Sequence, residues 1–355
     1  MVDHILLKIL LAPFALLFGS IVAIKEAMYR TGLIKGVKFD LPLISVGNLT
    51  VGGTGKTPHI ELLIRLLEPY LEVATLSRGY KRKTSGFRLV KGSDSAMEAG
   101  DEPLQFKRKF PNVTVAVGEN RVFAVPSMLG ENPRIQTILL DDAFQHRAII
   151  PGYNILLTEY ERPFYTDQLL PVGKLREFPE GYKRADMIIV SKCPTTLERS
   201  DAEEMIKKLK PLAKQSVFFT KYNYGAPYFW LDPSYRFRLS SETQVILISG
   251  IANESYLLDY LRPLVGHIEM LSFPDHHLYT EEDLLAITNL ASTISGNNKV
   301  ILTTEKDAVR LATYLEYFKA NKLDIYILPI EVGFHFDEKN KFESIIKEYL
   351  LNFKS

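Results

Sequence analysis

Short runs of consecutive apolar residues alternate along most of this chain with longer stretches whose apolar positions recur at helical spacing. The runs at 43–48, 73–77, 113–117, 134–140, 155–158 and 187–190 predict buried strands, and the stretches at 58–68 and 120–129 predict helices between them. That alternation implies a mainly parallel sheet covered by helices. From 216 to 230 the chain turns aromatic and strand-like, and a second alternation follows. Strands are expected at 245–248, 268–271 and 300–303, with helices at 256–261, 280–294 and 306–318. A returning linker strand at 325–334 and an amphipathic closing helix at 342–353 complete the pattern. Read as domains, this gives an N-terminal helix at 1–30, a larger α/β unit at 31–220 and a smaller one at 221–336. The closing segment, 337–355, is expected to pack on the larger unit.

The N-terminus breaks the alternation. Residues 5–24 are nearly all apolar, interrupted by Lys8, Pro13, Gly19 and Ser20. That length approaches a bilayer span, but Lys8 and Pro13 shorten the clean run. A cleaved signal peptide fits poorly, because Asp3 leads the segment and no basic cluster precedes it. A buried core helix is the plain alternative. The favoured reading is a helix seated in the cytoplasmic leaflet, followed by Lys25, Arg30, Lys35 and Lys38.

Composition is otherwise ordinary for a folded protein, with 46% hydrophobic and 24% charged residues in 355. A net charge of +1 predicts no general affinity for nucleic acid. The single cysteine, Cys193, excludes an intrachain disulfide and fits a reducing compartment.

The strongest chemical signal follows the first expected strand: Thr50-Val51-Gly52-Gly53-Thr54-Gly55-Lys56-Thr57, then Pro58 and a helical pattern. Glycines let backbone N–H groups curl round phosphate oxygens, Lys56 reaches the β and γ phosphates, and the Thr57 hydroxyl is placed to ligate Mg²⁺. The following helix points its positive end at the anion. Thr50 stands where the strict pattern has glycine. Further on, an apolar strand ends in Asp141-Asp142, the place where a metal-associated acid belongs in this enzyme class. Adjacent carboxylates repel unless a cation lies near them. Ser191-Lys192-Cys193-Pro194 resembles the Asn/Thr-Lys-x-Asp loop that reads guanine, but it lacks the aspartate, which favours ATP.

Other features are less specific. The stretch from Arg78 to Lys91 carries six basic residues and no acidic one, as a solvated face or an anion-binding surface. Gly100-Asp101-Glu102-Pro103 opens a helix, where capping alone accounts for the acids. Phe273-Pro274-Asp275-His276-His277 is a polar loop, a metal site needing help from elsewhere, or the seat of a histidine facing the nucleotide domain across a cleft.

Together these motifs resemble the tetraacyldisaccharide 4'-kinase family, the lipid A 4'-kinases of Gram-negative bacteria. The resemblance rests on the phosphate loop from Gly47 to Pro58, Ser77-Arg78-Gly79-Tyr80, Gly100-Asp101-Glu102-Pro103 and Asp141-Asp142-Ala143-Phe144-Gln145-His146-Arg147. It also rests on Pro171 to Glu177, Phe273 to His276 and Thr304-Glu305-Lys306-Asp307. It runs in order over nearly the whole chain, with Ala143 where the family pattern has Gly. The resemblance implies a P-loop NTPase-like α/β/α domain and a smaller α/β/α domain joined by a two-stranded linker. It implies transfer of the ATP γ-phosphate to the 4'-hydroxyl of an acylated glucosamine disaccharide 1-phosphate at the inner membrane. It further implies Asp101 as base paired with His276, Lys56 and Thr57 on phosphate and Mg²⁺, and Asp141, Asp142 and Glu177 near the metal. Arg176 would face phosphate, with Arg78, Gln145 and His146 as further site residues. A partition-type membrane ATPase is the alternative. It is disfavoured by Val51, where such proteins usually carry an extra lysine, and by the second domain.

Overall fold

A computed structural model describes residues 2–293 and 298–353. The chain forms two compact units. One comprises Met1–Arg78, Ala116–Tyr222 and Val332–Ser355; the other comprises Gly79–Val115 and Asn223–Glu331.

In the first unit the sheet runs, from one edge, Ile330–Phe334, Ser216–Tyr224, Met187–Ser191, Tyr153–Glu159, Leu43–Asn48, Thr137–Asp141 and Val73–Ser77. Pairing from Ser216–Tyr224 inward is parallel. Every residue of Leu43–Asn48, Val73–Ser77 and Thr137–Asp141 is buried, which is why these strands read as unbroken apolar runs rather than alternations. The helix Lys56–Leu67 buries Ile60, Leu63, Ile64 and Leu67, one face at three- and four-residue spacing. Of the four chain crossings between units, the last two fall inside Ser216–Tyr224 and Ile330–Phe334, which are neighbours in the sheet. This is the two-stranded linker the resemblance implied.

The second unit carries a five-stranded sheet in the order His267–Ser272, Gln244–Ser249, Lys299–Thr304, Ile325–Leu328, Tyr228–Phe229. Its first four strands are parallel and the last is antiparallel. Ile246, Ile248 and Ile301 enter one core, while Val245, Leu247, Val300 and Leu302 enter the other, as the period of two requires.

Three elements differ from expectation. Residues 79–115, which sequence division places in the larger unit, belong to the smaller one: their helix Asp101–Lys109 packs on Glu305–Leu311, with Lys109 paired to Glu305 at 2.5 Å. The single strand expected at 325–334 is two, because Pro329 brings no N–H to a ladder. The helix expected at 306–318 is broken by a 3₁₀ turn, Ala312–Tyr314, where the Tyr314 hydroxyl donates to the Tyr279 carbonyl.

At the N-terminus, Val2–Arg30 forms one helix with Pro13 inside it. Residues Leu7–Arg30 are long and apolar enough to cross a membrane, and almost none of this stretch is buried. Leu10, Leu16 and Leu17 are 69%, 73% and 63% exposed. The buried-core reading of this helix therefore does not hold.

Candidate functional sites in the two units

The phosphate loop of the first unit has the backbone its sequence demands. Gly52 and Gly55 sit at φ 107° and 87°, in the left-handed region that favours glycine. A side chain at Gly55 would also meet the Tyr222 hydroxyl at 2.5 Å. Gly55 caps the helix that begins at Lys56, so the loop ends on exposed helix N–H groups. Beneath it His59 is buried: its Nδ1 lies 2.7 Å from the Gly55 carbonyl and its Nε2 3.1 Å from Thr220 Oγ1. Burial pushes this imidazole down to about 4, against the raising effect of the Gly55 bond, so His59 is a neutral brace.

Segment 170–177 flanks the loop. Val51 N–H donates to the Lys174 carbonyl (2.7 Å) and Arg176 N–H to the Leu49 carbonyl (2.7 Å). The Arg176 guanidinium forks onto Asp142, with Nη1 to Oδ2 at 3.0 Å and Nη2 to Oδ1 at 2.7 Å, and also bonds the Asn48 side chain. Lys56 Nζ lies 3.8 Å from Asp142 Oδ1. Burial raises the Asp142 carboxyl, but Lys56 and Arg176 outweigh it and hold the group well below the usual carboxylate range. Asp142 itself is left-handed, at φ 46°.

The paired acids are thus separated by their partners. Asp141 accepts from Ser77 Oγ at 3.2 Å, while Arg121 Nη2 ties the Asp141 and Asp142 carbonyls at 2.8 and 3.0 Å. Gln145 Nε2 donates to the Asn48 carbonyl and to Glu177 Oε1, both at 2.7 Å, and Arg184 Nη2 pairs with Glu177 Oε2 at 2.7 Å. Burial, then the positive charges of Arg121, Lys25 and Arg78, push His146 down to about 4. All these side chains belong to the first unit. Arg121 and Arg184 were not anticipated from sequence; neither sits in a motif that announces it.

The second unit holds Asp101 and His276 together. His276 Nδ1 lies 2.8 Å from Asp101 Oδ2, although 175 residues separate them. Gly100, at φ 88° and ψ 152°, starts the Asp101 helix; a Cβ there would lie 3.3 Å from Gly79 Cα. Two further cations close on the pair. Arg310 donates to Asp101 Oδ2 through Nε (2.9 Å) and Nη2 (2.5 Å), and Lys306 Nζ lies 3.9 Å from the same oxygen. Burial raises the Asp101 carboxyl, but the His276 hydrogen bond and the charges of Lys306 and Arg310 hold it well below the usual range. Arg310 is a residue sequence reasoning missed. The signal was available: Lys306 and Arg310 are four apart on one helix and so share a face.

Adjacent His277 does not converge with His276. It pairs with Asp283 at 2.8 Å and stacks on Phe273, centroids 4.7 Å apart, which anchors the loop. The metal reading of Asp275-His276-His277 is not supported: among the described residues no group of three or more His, Cys, Asp or Glu could hold an ion unaided.

Comparison with known proteins shows the family of the chain. The family described as Tetraacyldisaccharide-1-P 4'-kinase (LpxK) matches residues 7–351. The tetraacyldisaccharide 4'-kinase of Flavobacterium johnsoniae is 43% identical over 347 residues, covering 97% of this chain and 98% of its own. That of Phocaeicola vulgatus is 41% identical over 345 residues, covering 96% and 94%. Among solved structures, LpxK from Aquifex aeolicus in complex with ATP is 29% identical, with TM-score 0.73, covering 97% of this chain and 99% of its own. A match running from the apolar helix to the closing helix takes in both units and every motif just described. The chain belongs to the tetraacyldisaccharide-1-P 4'-kinase family.

Proposed function

We propose that this enzyme transfers the γ-phosphate of ATP to the 4'-hydroxyl of an acylated glucosamine disaccharide 1-phosphate, a step of lipid A synthesis. The observation that carries the reading is the presence, in one chain of this family, of a phosphate loop and an Asp–His pair, the two halves a hydroxyl kinase needs. The partition-ATPase alternative has no use for the second half and is not favoured.

In the first unit, backbone N–H groups of Gly52 to Lys56 and the helix N-terminus would seat the phosphates, with Thr50, Val51 and Thr57 completing the loop. Lys56 would neutralise charge on the transferring group, which supplies most of the catalysis in phosphoryl transfer. Arg176 stands beside Lys56 on the same carboxylate and would turn to phosphate when the nucleotide arrives. The oxygen donors Thr57, Asp141 and Asp142 suit Mg²⁺, which takes one or two carboxylates and completes its shell with phosphate and water. Bound there, Mg²⁺ would neutralise charge on the β and γ phosphates. Glu177 would join that set only by exchanging its Arg184 pair for the ion. Gln145, His146 and Arg78 line the same unit as further site residues.

In the second unit, Asp101 and His276 form the proton-accepting pair. A sugar hydroxyl is a weak nucleophile, and a positioned base contributes typically ~10²–10⁴-fold. The exposed apolar helix would seat the enzyme on the cytoplasmic face of the inner membrane, where the substrate's acyl chains stay in the bilayer. The test is to add detergent-dispersed disaccharide lipid, labelled ATP and Mg²⁺ and look for label in the lipid. ATP consumption without lipid labelling would reject the reading.

A further inference from the structure

The N-terminal helix has two faces, and only one of them is offered to lipid. Leu10, Leu17 and Ile24 recur at heptad spacing and are exposed. Gly19 and Glu26, at the same spacing, lie about half a turn round from them. Gly19 is buried. A Cβ there would lie 3.0 Å from Leu169 Cδ1 and 3.3 Å from Phe178 Cζ, so the helix backbone rests on the two residues that flank segment 170–177. That segment carries Arg176 and Glu177.

Glu26 is the single acidic residue of Leu7–Arg30. A carboxylate on an apolar helix is costly without a partner, and this one meets two arginines. It pairs with Arg147, which also lies over the Tyr29 ring of the same helix, 4.8 Å from its centroid. Its Oε2 is 3.9 Å from Arg184 Nη1. Arg184 is shared between two acids, since its Nη2 holds Glu177 Oε2 at 2.7 Å. Glu177 Oε1 accepts from Gln145, which also donates to the Asn48 carbonyl at the end of the strand before the phosphate loop. A continuous chain of polar groups therefore runs from the helix to that strand end: Glu26, Arg184, Glu177, Gln145, Asn48.

Between its flanks, segment 170–177 closes on the phosphate loop through backbone. Val51 N–H donates to the Lys174 carbonyl and Arg176 N–H to the Leu49 carbonyl, while Leu175 is buried in one core with Leu49. All of these residues belong to the first unit. We infer that Gly19 and Glu26 are positioning residues for the nucleotide: the inner face of the helix braces segment 170–177 against the phosphate loop, and the outer face is left for lipid. This rests on the kinase reading above. The helix is then a part of the ATP site as well as an anchor, and ATP affinity depends on it even with no lipid substrate present.

The experiment measures ATP binding by calorimetry on the detergent-solubilised full chain without lipid substrate. Thermal melting, steady-state kinetics and sedimentation with phosphatidylethanolamine–phosphatidylglycerol vesicles accompany it. An ion pair this exposed is worth little alone, so Glu26→Gln should weaken ATP binding about three- to tenfold. Glu26→Asp, which keeps the charge, should recover part of the loss. Gly19→Leu forces a side chain into a filled contact and should weaken binding about tenfold or more. Both inner-face changes should raise KM for ATP more than they lower kcat, and both proteins should sediment with vesicles as wild type does. Leu10→Glu with Leu17→Glu should do the converse, leaving the vesicles while ATP affinity stays within about twofold. Adding Arg184→Gln to Glu26→Gln should cost little beyond either change alone, because both interrupt one chain of contacts. ATP affinity unchanged in Glu26→Gln and Gly19→Leu, even with lowered melting, overturns the inference, as does an equal loss in the outer-face pair. A wild-type protein that binds no ATP rejects the kinase reading itself.

Discussion

Replacing Asp101 by Asn separates a catalytic carboxylate from a helix cap. The amide keeps the shape but removes the negative charge on which Arg310 and His276 converge. Breaking a buried pair by removing one partner costs about 3–5 kcal/mol. Arg310 retains Asp307 and the Gly250 carbonyl, so the lower figure, about 3 kcal/mol, applies. At roughly 2–4 °C per kcal/mol for a unit of this size, melting of the second unit should fall by roughly 6–12 °C. The folded carboxyl is held below its unfolded value of about 3.9. Its contribution is therefore complete above that pH and is lost as pH falls below it. The gap between wild type and variant should be constant from about pH 5 to 8 and close below about pH 4. Turnover should fall ~10²–10⁴-fold. Calorimetry across pH, with kcat at saturating lipid and ATP, measures both. A helix cap would cost about 1 kcal/mol and leave chemistry nearly intact. A fall below about 3 °C with kcat within tenfold would refute the reasoning.

Other expectations follow from the same geometry. Lys56→Ala should lower kcat by about 10²-fold or more, since a charge-assisted contact on the transferring phosphate is lost; steady-state kinetics showing less than a tenfold loss would remove the loop from the mechanism. Asp101→Ala and His276→Ala should each lower kcat strongly, while the double variant is far less than multiplicatively worse; fully multiplicative losses in that cycle would mean the pair does not act as a unit. Gly100→Ala should cost about 1–3 kcal/mol through its positive φ, read as a lower melting temperature, and should shift the start of the Asp101 helix. Glutamate at Leu10, Leu16 and Leu17 together should move the protein from membranes to the supernatant with ATP binding retained; unchanged sedimentation would place the anchor elsewhere.

What the sequence disclosed and what it withheld divide along physical lines. Strands buried on both faces print as unbroken apolar runs, so the sheet of the first unit could be read almost entirely. The phosphate loop was equally plain, because its glycines answer to local backbone geometry at Gly52 and Gly55. Asp101 and His276 were found through motif resemblance, while their joint membership of the second unit was not foreseen. That placement depends on 79–115 packing with 223–331, a long-range choice no local pattern records. Arg310 escaped for a related reason, since it reaches Asp101 from far along the chain; Arg184 pairs with the nearby Glu177 but lies outside the motif that carries that acid. The break at Pro329 was legible in principle, since proline cannot serve a ladder, but an apolar stretch on both sides hid it.

The most direct test of the whole account follows labelled γ-phosphate from ATP into lipid, with wild type and His276→Ala side by side. The account predicts a 1,4'-bisphosphorylated product carrying label at the 4'-oxygen of the disaccharide, with formation reduced ~10²-fold or more in the variant. Label released only as inorganic phosphate, or lipid labelled equally by both proteins, would contradict it.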